Sequence, residues 1–229
     1  MVIQFIPNIM EKLMTVHLPY KVNSGQVNMD IDAQLLNSAI ESGSCEPVFR
    51  LYGWNPPCIS LGRNQKDDFL DRKFLKSHNI DVVRRLTGGR ALLHDNEITY
   101  SFVCPESYLK NGQHVVSSYK EISQILIDKF KQLGIELDFG TSKAVKTGFD
   151  YCMLISTGAD LCYKNKKLIG SAQCRKNGYI LQHGSILYDF DRNLLEQIFK
   201  EDIDCGEITT IKEINPKLTK EKIIEILSM

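Results

Sequence analysis

The chain lacks a net charge, because its 28 lysine and arginine residues balance 28 aspartate and glutamate residues. An overall field that would recruit nucleic acid or an anionic membrane is therefore excluded, and only local charge can matter. Apolar runs near the ~20 residues of a membrane-spanning helix are also lacking. Residues 1–20 mix apolar side chains with Glu11, Lys12 and His17, which is unlike a secretory signal peptide. These absences predict a cytoplasmic protein that binds neither nucleic acid nor membrane.

Paired cysteines are lacking as well. The sequence has seven cysteines at irregular spacing, and an odd number without a Cys-x-x-Cys pair argues against a disulfide framework and a zinc site. His94 and His183 have no histidine or cysteine at metal-ligand spacing, so no metal is expected. Reduced thiols are the expectation for a cytoplasmic chain. Repeats, low-complexity tracts and long linkers are missing too, which predicts one domain over residues 1–229.

The chain does contain many short strands and several amphipathic helices. Apolar periodicity predicts helices at 30–41, 65–78, 116–133, 191–200 and 218–229. The first of these should bury Ile31, Leu35, Ala39 and Ile40. Strands are predicted at 2–6, 14–16 and 98–104, with hairpins of 48–52 with 58–62 and of 161–163 with 167–172, and a strand pair in 179–188 that bends near Gly184. This pattern predicts an α+β fold with mixed, mostly antiparallel sheets flanked by helices.

The most informative stretch is residues 82–95, where a strand, a Thr-Gly-Gly turn and a second strand follow one another. Gly88 and Gly89 permit positive φ and let the backbone approach a bound group closely. Backbone N–H groups in such a turn can converge on negative charge, and mobile positive charge would come from Arg84, Arg85 and Arg90. Chemically this is a cradle for a phosphate, a carboxylate or a thioester oxygen. The alternative is an ordinary glycine hairpin with solvated arginines.

A family resemblance favours the cradle. Arg-Arg-x-Thr-Gly-Gly-Arg-Ala-x-x-His at residues 84–94, followed by Glu97-x-Thr99-Tyr100-Ser101, resembles the signature of lipoate and octanoate acyltransferases and ligases. Residues 167–173 and 181–187 also resemble that family, and the matching motifs lie within residues 28–212. The resemblance implies a biotin/lipoate ligase-like catalytic domain, with residues 218–229 as a C-terminal helix.

The family transfers a medium-chain acyl group to one lysine of a lipoyl domain or a glycine-cleavage H protein. Its ligases activate free acid with ATP and Mg²⁺, whereas its cysteine transferases take the acyl group from an acyl-carrier-protein thioester onto their own sulfur. The transferase branch is favoured by Arg90 in place of a third glycine, by residues 170–173 together with 181–184, and by a chain that ends too soon for the extra domain of many ligases. The resemblance therefore implies an octanoyl or lipoyl transferase that needs no cofactor.

The same resemblance assigns roles to individual residues. Lys167 stands at the family's lysine position and would stabilise an oxyanion at the acyl carbonyl, where losing one donor typically costs ~3–4 kcal/mol. The alternative is a surface lysine beside Lys164 and Lys166. Cys152 stands where the transferases place their nucleophile, and Cys174 is the second candidate. The substrate-binding residues would be Arg84, Arg85, Thr87, Gly88, Gly89, Arg90, His94, Gly170, Ser171, Ala172 and His183, although both histidines could instead be structural.

The remaining cysteines are expected to be structural. Cys58, Cys104 and Cys162 lie in apolar strand patterns, and Cys45 and Cys205 lie in polar connectors. An apolar acyl pocket would be formed by Leu86, Ala91 and Leu92. Acidic carrier and lipoyl domains would dock on a local basic surface, for which there are two candidates: Lys164, Lys166, Arg175 and Lys176, or Arg72, Lys73 and Lys76.

Other functions remain open. The runner-up is an ATP-dependent lipoate-protein ligase domain completed by a separate subunit. A non-catalytic binder of lipoyl domains would show affinity without turnover. A biotin ligase is the least favoured, because the chain has nothing like the Gly-Arg-Gly-Arg loop of those enzymes.

Overall fold

The strands form two sheets of unequal size. The computed structural model describes residues 15–141, 150–154, 158–200 and 205–229. The strands within these ranges are β1 (Val16–Asn23), β2 (Val48–Trp54), β3 (Cys58–Leu61), β4 (Asp81–Arg84), β5 (Leu92–His94), β6 (Glu97–Pro105), β7 (Asp138–Phe139), β8 (Leu161–Tyr163), β9 (Lys166–Lys176) and β10 (Tyr179–Leu187). The larger sheet has the order β1-β2-β6-β10-β9-β8-β7, and the smaller has the order β4-β3-β5. Only β1 with β2 and β3 with β4 are parallel among these pairs.

Helices flank the sheets and connect their strands. They are α1 (Gly25–Ser42), α2 (Arg72–Ser77), α3 (Val115–Gln132), α4 (Arg192–Phe199), α5 (Ile211–Ile214) and α6 (Lys220–Ser228), with short 3₁₀ turns at Glu106–Tyr108, Cys152–Leu154 and Cys205–Glu207. The predicted α+β class is confirmed. None of the helices in the described ranges is long and apolar enough to cross a bilayer.

Two different helices cover the two faces of the large sheet. Leu181 of β10 lies opposite Val103 of β6, and both pack against Leu36 of α1. Adjacent strand residues point to opposite faces, so Ile180 and Phe102 belong to the main core on the other side, where α3 supplies Ile122, Leu126 and Phe130. The predicted apolar stripe of the 116–133 helix is thus confirmed. Because both faces are covered, every residue of β6 is buried.

The predicted hairpin of 48–52 with 58–62 is wrong. Both edges of β2 are taken, by β1 and by β6, whereas β3 pairs with β4 and β5 in the small sheet. Pro56 and Pro57 lack the N–H groups that a continuing ladder needs, so the chain leaves one sheet and enters the other at this point. The two strands around the glycine turn likewise pair with β3 and not with each other.

Two helix predictions need correction. The predicted helix at 65–78 is confined to α2, because the Asp71 carboxylate accepts hydrogen bonds from the backbone N–H groups of Lys73 and Phe74 and caps the helix there. Helix α1 begins at Gly25, earlier than predicted. Its fully buried residues include the polar Asn28 and Asp32, while the predicted face of Ile31, Leu35, Ala39 and Ile40 is only partly buried.

Some of the remaining helix and strand predictions are confirmed and others need correction. The hairpin of 161–163 with 167–172 is confirmed, with left-handed φ at Lys164 and Asn165 in its turn. The helices predicted at 191–200 and 218–229 are confirmed, with Asp191 and Thr219 as their N-caps. The strand predicted at 14–16 is instead β1, α5 was not predicted, and the strand predicted at 2–6 lies outside the described residues.

Gly184 does not bend the chain as predicted, because β10 is one continuous strand of nine residues. A Cβ at this position would lie 2.6 Å from the Gly170 carbonyl oxygen and 2.6 Å from Tyr100 Cε1. The glycine is therefore required by close packing between β10, β9 and β6.

We expect Gly184→Ala to lower the free energy of unfolding by about 3 kcal/mol, because the neighbouring backbone cannot yield to a new methyl group. Urea denaturation measures the change. Gly88→Ala is the matched control, since a Cβ there meets no atom within 4 Å. Equal stability of the two variants would show that the packing around Gly184 is looser than described.

Candidate functional site

A cavity of about 490 Å³ lies between the two sheets. Its wall contains most of the predicted site residues: Cys152, Lys167, Arg85, Gly88, Gly89, Arg90, His94, Gly170, Ser171, Ala172 and His183. Arg84 and Thr87 are outside that wall. The fold thus brings together residues that lie up to about a hundred positions apart in the chain.

Arg85 holds the glycine loop, which is the Thr87-Gly88-Gly89 turn between β4 and β5. The Arg85 guanidinium donates to the carbonyl oxygens of Ser60, Gly88 and Arg90, each at 2.8 Å, and to Thr87 Oγ1 at 3.1 Å. Burial lowers the pKa of Arg85, but these carbonyl partners suit the charged form. The predicted mobile charge of Arg85 is therefore wrong, because this side chain acts as a fixed clamp.

Arg84 is fixed as well, on the other side of the loop. Its Nη1 donates to the carbonyl oxygens of Gly62 at 2.8 Å and Gln65 at 2.7 Å. Gly62 also lets the loop approach β3, since a Cβ there would lie 1.9 Å from the Gly89 carbonyl oxygen. Gly89 itself has a φ of 94°. The cradle is therefore shaped by backbone conformation and by arginine hydrogen bonds to carbonyl groups.

A buried carboxylate joins helix α1 to the strands behind the cavity. Asp32 accepts hydrogen bonds from Arg50 Nη1 at 2.8 Å, Tyr52 OH at 2.9 Å, Ser101 Oγ at 2.9 Å and His183 Nδ1 at 3.1 Å. Burial alone raises the pKa of Asp32, but the hydrogen bond and charge of His183, together with Arg50 and Tyr52, lower it below its ordinary 3.8. Asp32 is thus ionised at neutral pH.

The two histidines belong to hydrogen-bonded chains within the cavity wall. His183 donates from Nδ1 to the Asp32 carboxylate, and its Nε2 is hydrogen-bonded to Thr87 Oγ1 at 2.8 Å. Thr87 Oγ1 also accepts from Arg85 Nε. The network connects α1 to the glycine loop through one imidazole.

His94 stacks on Trp54 at 3.9 Å between ring centroids, and its Nε2 is 2.8 Å from Ser60 Oγ. Burial lowers the pKa of His94, which keeps the ring neutral at physiological pH. Its Nδ1 lies 3.7 Å from Glu97 Oε1, too far for a hydrogen bond.

Lys167 is a buried residue and not a solvated lysine, so the surface alternative is wrong. Its side chain is 2% exposed, and its Nζ lies 3.1 Å from Asp160 Oδ2 and 3.3 Å from the Cys152 carbonyl oxygen. Asp160, which is also in the cavity wall, was missed in the sequence. A lone aspartate before an apolar strand carries no signal of its partner, because Asp160 and Lys167 meet only once β8 pairs with β9.

Cys152 lies beside the end of the glycine loop. Its backbone N–H donates to the Ala91 carbonyl oxygen at 2.8 Å, and the Ala91 N–H donates to the Asp150 carbonyl oxygen at 3.0 Å. The Cys152 side chain is partly buried and lines the cavity. Cys174 is outside the cavity wall and packs with the Leu36 cluster on the α1 side of the sheet. Cys152, and not Cys174, therefore shares a cavity with Lys167.

The other cysteines of the described chain have the expected environments. Cys58, Cys104 and Cys162 are buried and Cys45 is exposed, while the side chain of Cys205 lies outside the described part.

The apolar wall differs from the prediction. Leu92 lines the cavity, but Ala91 does not, and Leu86 is 38% exposed and also outside the wall. The missed apolar residues include Met29, Tyr52 and Trp54, which form one cluster with Cys58 and Val83. Two of them stand in short stretches that could have indicated the site, Met29 in Asn28-Met29-x-x-Asp32 and Trp54 in Trp54-x-Pro56-Pro57.

The class of fold follows from comparison with solved structures. A lipoate-protein ligase A bound with ATP superposes with a TM-score of 0.74 at 19% identity, covering 93% of this chain and 83% of that one. Ta0514, a putative lipoate protein ligase from T. acidophilum, gives a TM-score of 0.70 at 18% identity, with 93% and 82% covered. At these identities the likeness concerns the fold alone.

Sequence comparison narrows the class to a family. The sequence model of the lipoyl protein ligase A/B catalytic domain matches residues 24–228, and the chain belongs to that family. It is 40% identical over 181 residues to an octanoyltransferase LipM of Geobacillus kaustophilus, covering 76% of this chain and 65% of that protein. A Clostridioides difficile octanoyltransferase LipM is 40% identical over 206 residues, covering 88% and 74%. The chain thus spans about two thirds to three quarters of the length of these relatives.

The Asp32 carboxylate generates a prediction about stability and pH. Asp32→Asn should lower the free energy of unfolding at pH 7 by about 3 kcal/mol, because it leaves Arg50 buried without its counter-charge. The pKa of Asp32 is lower in the folded protein than in the unfolded chain. The Asp32 carboxylate therefore stabilises the fold fully above the unfolded-state pKa of about 3.9, and this stabilisation is lost as the pH falls through the lower folded-state pKa. The difference between variant and wild type should therefore shrink in acid.

Urea denaturation at pH 7 and in steps below pH 4 measures this difference. Asp30→Asn is the control, because Asp30 is on the exposed face of the same helix. A difference that does not change with pH would contradict the assignment of Asp32 as the charged centre of the network.

Proposed function

We propose that the chain is an acyltransferase of protein lipoylation, which takes an octanoyl or lipoyl group from an acyl-carrier-protein thioester and delivers it to a lysine of a lipoyl domain or a glycine-cleavage H protein. The observation that carries the proposal is that Cys152, Lys167 and the glycine loop share one cavity. No other cysteine of the described residues lines it. The names of the relatives as octanoyltransferases support the same reaction.

In the first half-reaction the Cys152 thiolate adds to the thioester carbonyl, and the carbonyl π electrons move onto oxygen. The tetrahedral intermediate then collapses, the bond to the carrier sulfur breaks, and the carrier leaves as a thiolate that takes up a proton. A thiolate suits this exchange because it is strongly nucleophilic and also a good leaving group. The product is an acyl-Cys152 thioester.

In the second half-reaction the neutral amine of the acceptor lysine adds to the acyl-Cys152 carbonyl. Collapse of this intermediate forms the amide, breaks the C–S bond and releases the nitrogen proton and the Cys152 thiolate. Both intermediates carry an oxyanion on the same carbonyl, which the buried Lys167 ammonium would stabilise. Neither step consumes a nucleotide, so the proposed enzyme needs no cofactor.

The acyl chain would occupy the apolar part of the cavity. Met29, Tyr52, Trp54 and Leu92 line it, and each buried CH₂ contributes about 0.8 kcal/mol. Trp54 is positioned in this wall by stacking on His94 and by a hydrogen bond from its Nε1 to Thr99 Oγ1 at 2.8 Å. The chain length accepted then depends on how far the cavity continues past these side chains.

An ATP-dependent lipoate-protein ligase is the second candidate. The observation that favours it is the fold, which is shared with a lipoate-protein ligase A bound with ATP. The two candidates differ in whether the acyl group is carried by sulfur or by adenylate.

The proposed intermediate is directly testable. Octanoyl-carrier protein alone should add one octanoyl group to the enzyme, because thioester exchange is close to thermoneutral and the product accumulates without an acceptor. Intact mass spectrometry detects the adduct, hydroxylamine should discharge it, and peptide mapping should locate it on Cys152. Cys152→Ala should abolish both the adduct and turnover.

Cys174→Ala is the control and should retain the adduct. A second tube with octanoate, ATP and Mg²⁺ tests the ligase candidate. An adduct on Cys174, or transfer that requires ATP, would refute the proposed mechanism.

The basic turn of the β8–β9 hairpin is the proposed docking surface for acidic partners. Lys164 and Lys166 are exposed there, whereas Arg175 pairs with Glu106 at 2.7 Å and also donates to the Gly112 carbonyl oxygen. Arg175 is therefore not part of the proposed docking surface, although the sequence predicted that it would be.

Reversing both charges, Lys164→Glu with Lys166→Glu, should lower the association rate with carrier protein and flatten its salt dependence. Stopped-flow binding at several salt concentrations measures both quantities. Lys73→Glu with Lys76→Glu on α2 changes the net charge equally and tests the alternative patch. If only the α2 variant slows association, the docking surface lies there instead.

A further inference from the structure

We infer that Asp160 is a positioning residue, which holds the Lys167 ammonium at the acyl carbonyl. The inference rests on the proposed function and deepens it, because it identifies the group through which the lysine is presented to the cavity. Asp160 does not touch substrate in this proposal. It acts through Lys167.

The first observation is the geometry of the carboxylate. Asp160 Oδ2 lies 3.1 Å from Lys167 Nζ, and Oδ1 accepts from the Ser171 backbone N–H at 3.4 Å. Asp160 is 3% exposed and Lys167 is 2% exposed. The Asp160 carboxylate therefore connects the Lys167 ammonium to the backbone of β9, the strand that carries the lysine. Both side chains of this ion pair are buried.

The second observation is the space around the lysine side chain. A Cβ on Gly170 would lie 3.0 Å from Lys167 Cε and 3.4 Å from Nζ. The Lys167 side chain therefore lies against β9 at Gly170, where there is no side chain in the way. Its Nζ is confined between Asp160 and the Cys152 carbonyl oxygen, which is 3.3 Å away. The ammonium is held beside the segment that carries the nucleophile.

The energetics favour a tightly coupled pair. A buried charge without its partner is strongly destabilising, and removing one member of a buried pair costs more than removing both. Asp160→Asn should leave the lysine without its counter-charge, whereas Lys167→Met should leave the aspartate without its own. A lysine that is no longer held can move by an ångström, and a misplacement of that size costs on the order of 10²-fold in rate.

The experiment is a double-mutant cycle with Asp160→Asn, Lys167→Met and the double variant. Octanoyl transfer gives kcat and the KM for octanoyl-carrier protein, and urea denaturation gives the free energy of unfolding. We expect Asp160→Asn to lower kcat on the order of 10²-fold with an unchanged KM. In the Lys167→Met background the same change should leave the residual kcat unaltered, because its effect passes through the lysine.

Stability provides a readout that needs no activity. The double variant should be more stable than the sum of the two single losses predicts, since neither charge remains buried alone. Glu106→Gln is the control, because it breaks the partly exposed ion pair with Arg175 and should leave kcat unchanged.

The outcomes separate this inference from the proposed function. Additive losses in kcat, or additive losses in stability, would overturn the role of Asp160 even if octanoyl transfer is robust. Coupled stabilities without any octanoyl transfer by the wild-type protein would keep the pairing and refute the proposed function. A changed KM with an unchanged kcat in Asp160→Asn would assign Asp160 to substrate binding and overturn the positioning role.

Discussion

The cavity depends on one buried ionic interaction, between the Asp32 carboxylate and its donors. Arg50 and Tyr52 reach it from β2, Ser101 from β6 and His183 from β10. Each donor would cost free energy if it were buried without a partner. The carboxylate therefore fixes the position of α1 against three strands. Through His183 and Thr87 it also sets the position of the glycine loop.

A second constraint is the use of glycine to make room for functional side chains. Gly170 leaves space for the Lys167 stem, Gly184 lets three strands approach closely, and Gly62 admits the glycine loop against β3. None of these three has the positive φ found at Gly89. Their requirement is steric and depends on residues distant in the chain, so it differs from the requirement of a turn.

The features that were predictable from sequence are local ones. The stripe of α3 follows from apolar residues three and four positions apart, and the β8–β9 turn follows from Lys164 and Asn165 between two strands. Cys152 and Lys167 share one cavity, which agrees with the positions that the family resemblance implied for them, and their chemical roles are proposals. Local patterns also misled, as when a glycine in β10 was interpreted as a bend.

The sequence by itself determined the class of the fold, most of its helices and strands, and which residues are candidates for chemistry, because periodicity and motifs are properties of neighbouring residues. The tertiary structure alone decided that β2 and β3 belong to different sheets, that Arg84 and Arg85 are clamps, and that Asp160 pairs with Lys167. The physical reason is that strand pairing, burial and ion pairing are set by groups far apart in the chain. These interactions contribute to stability only after the strands have paired.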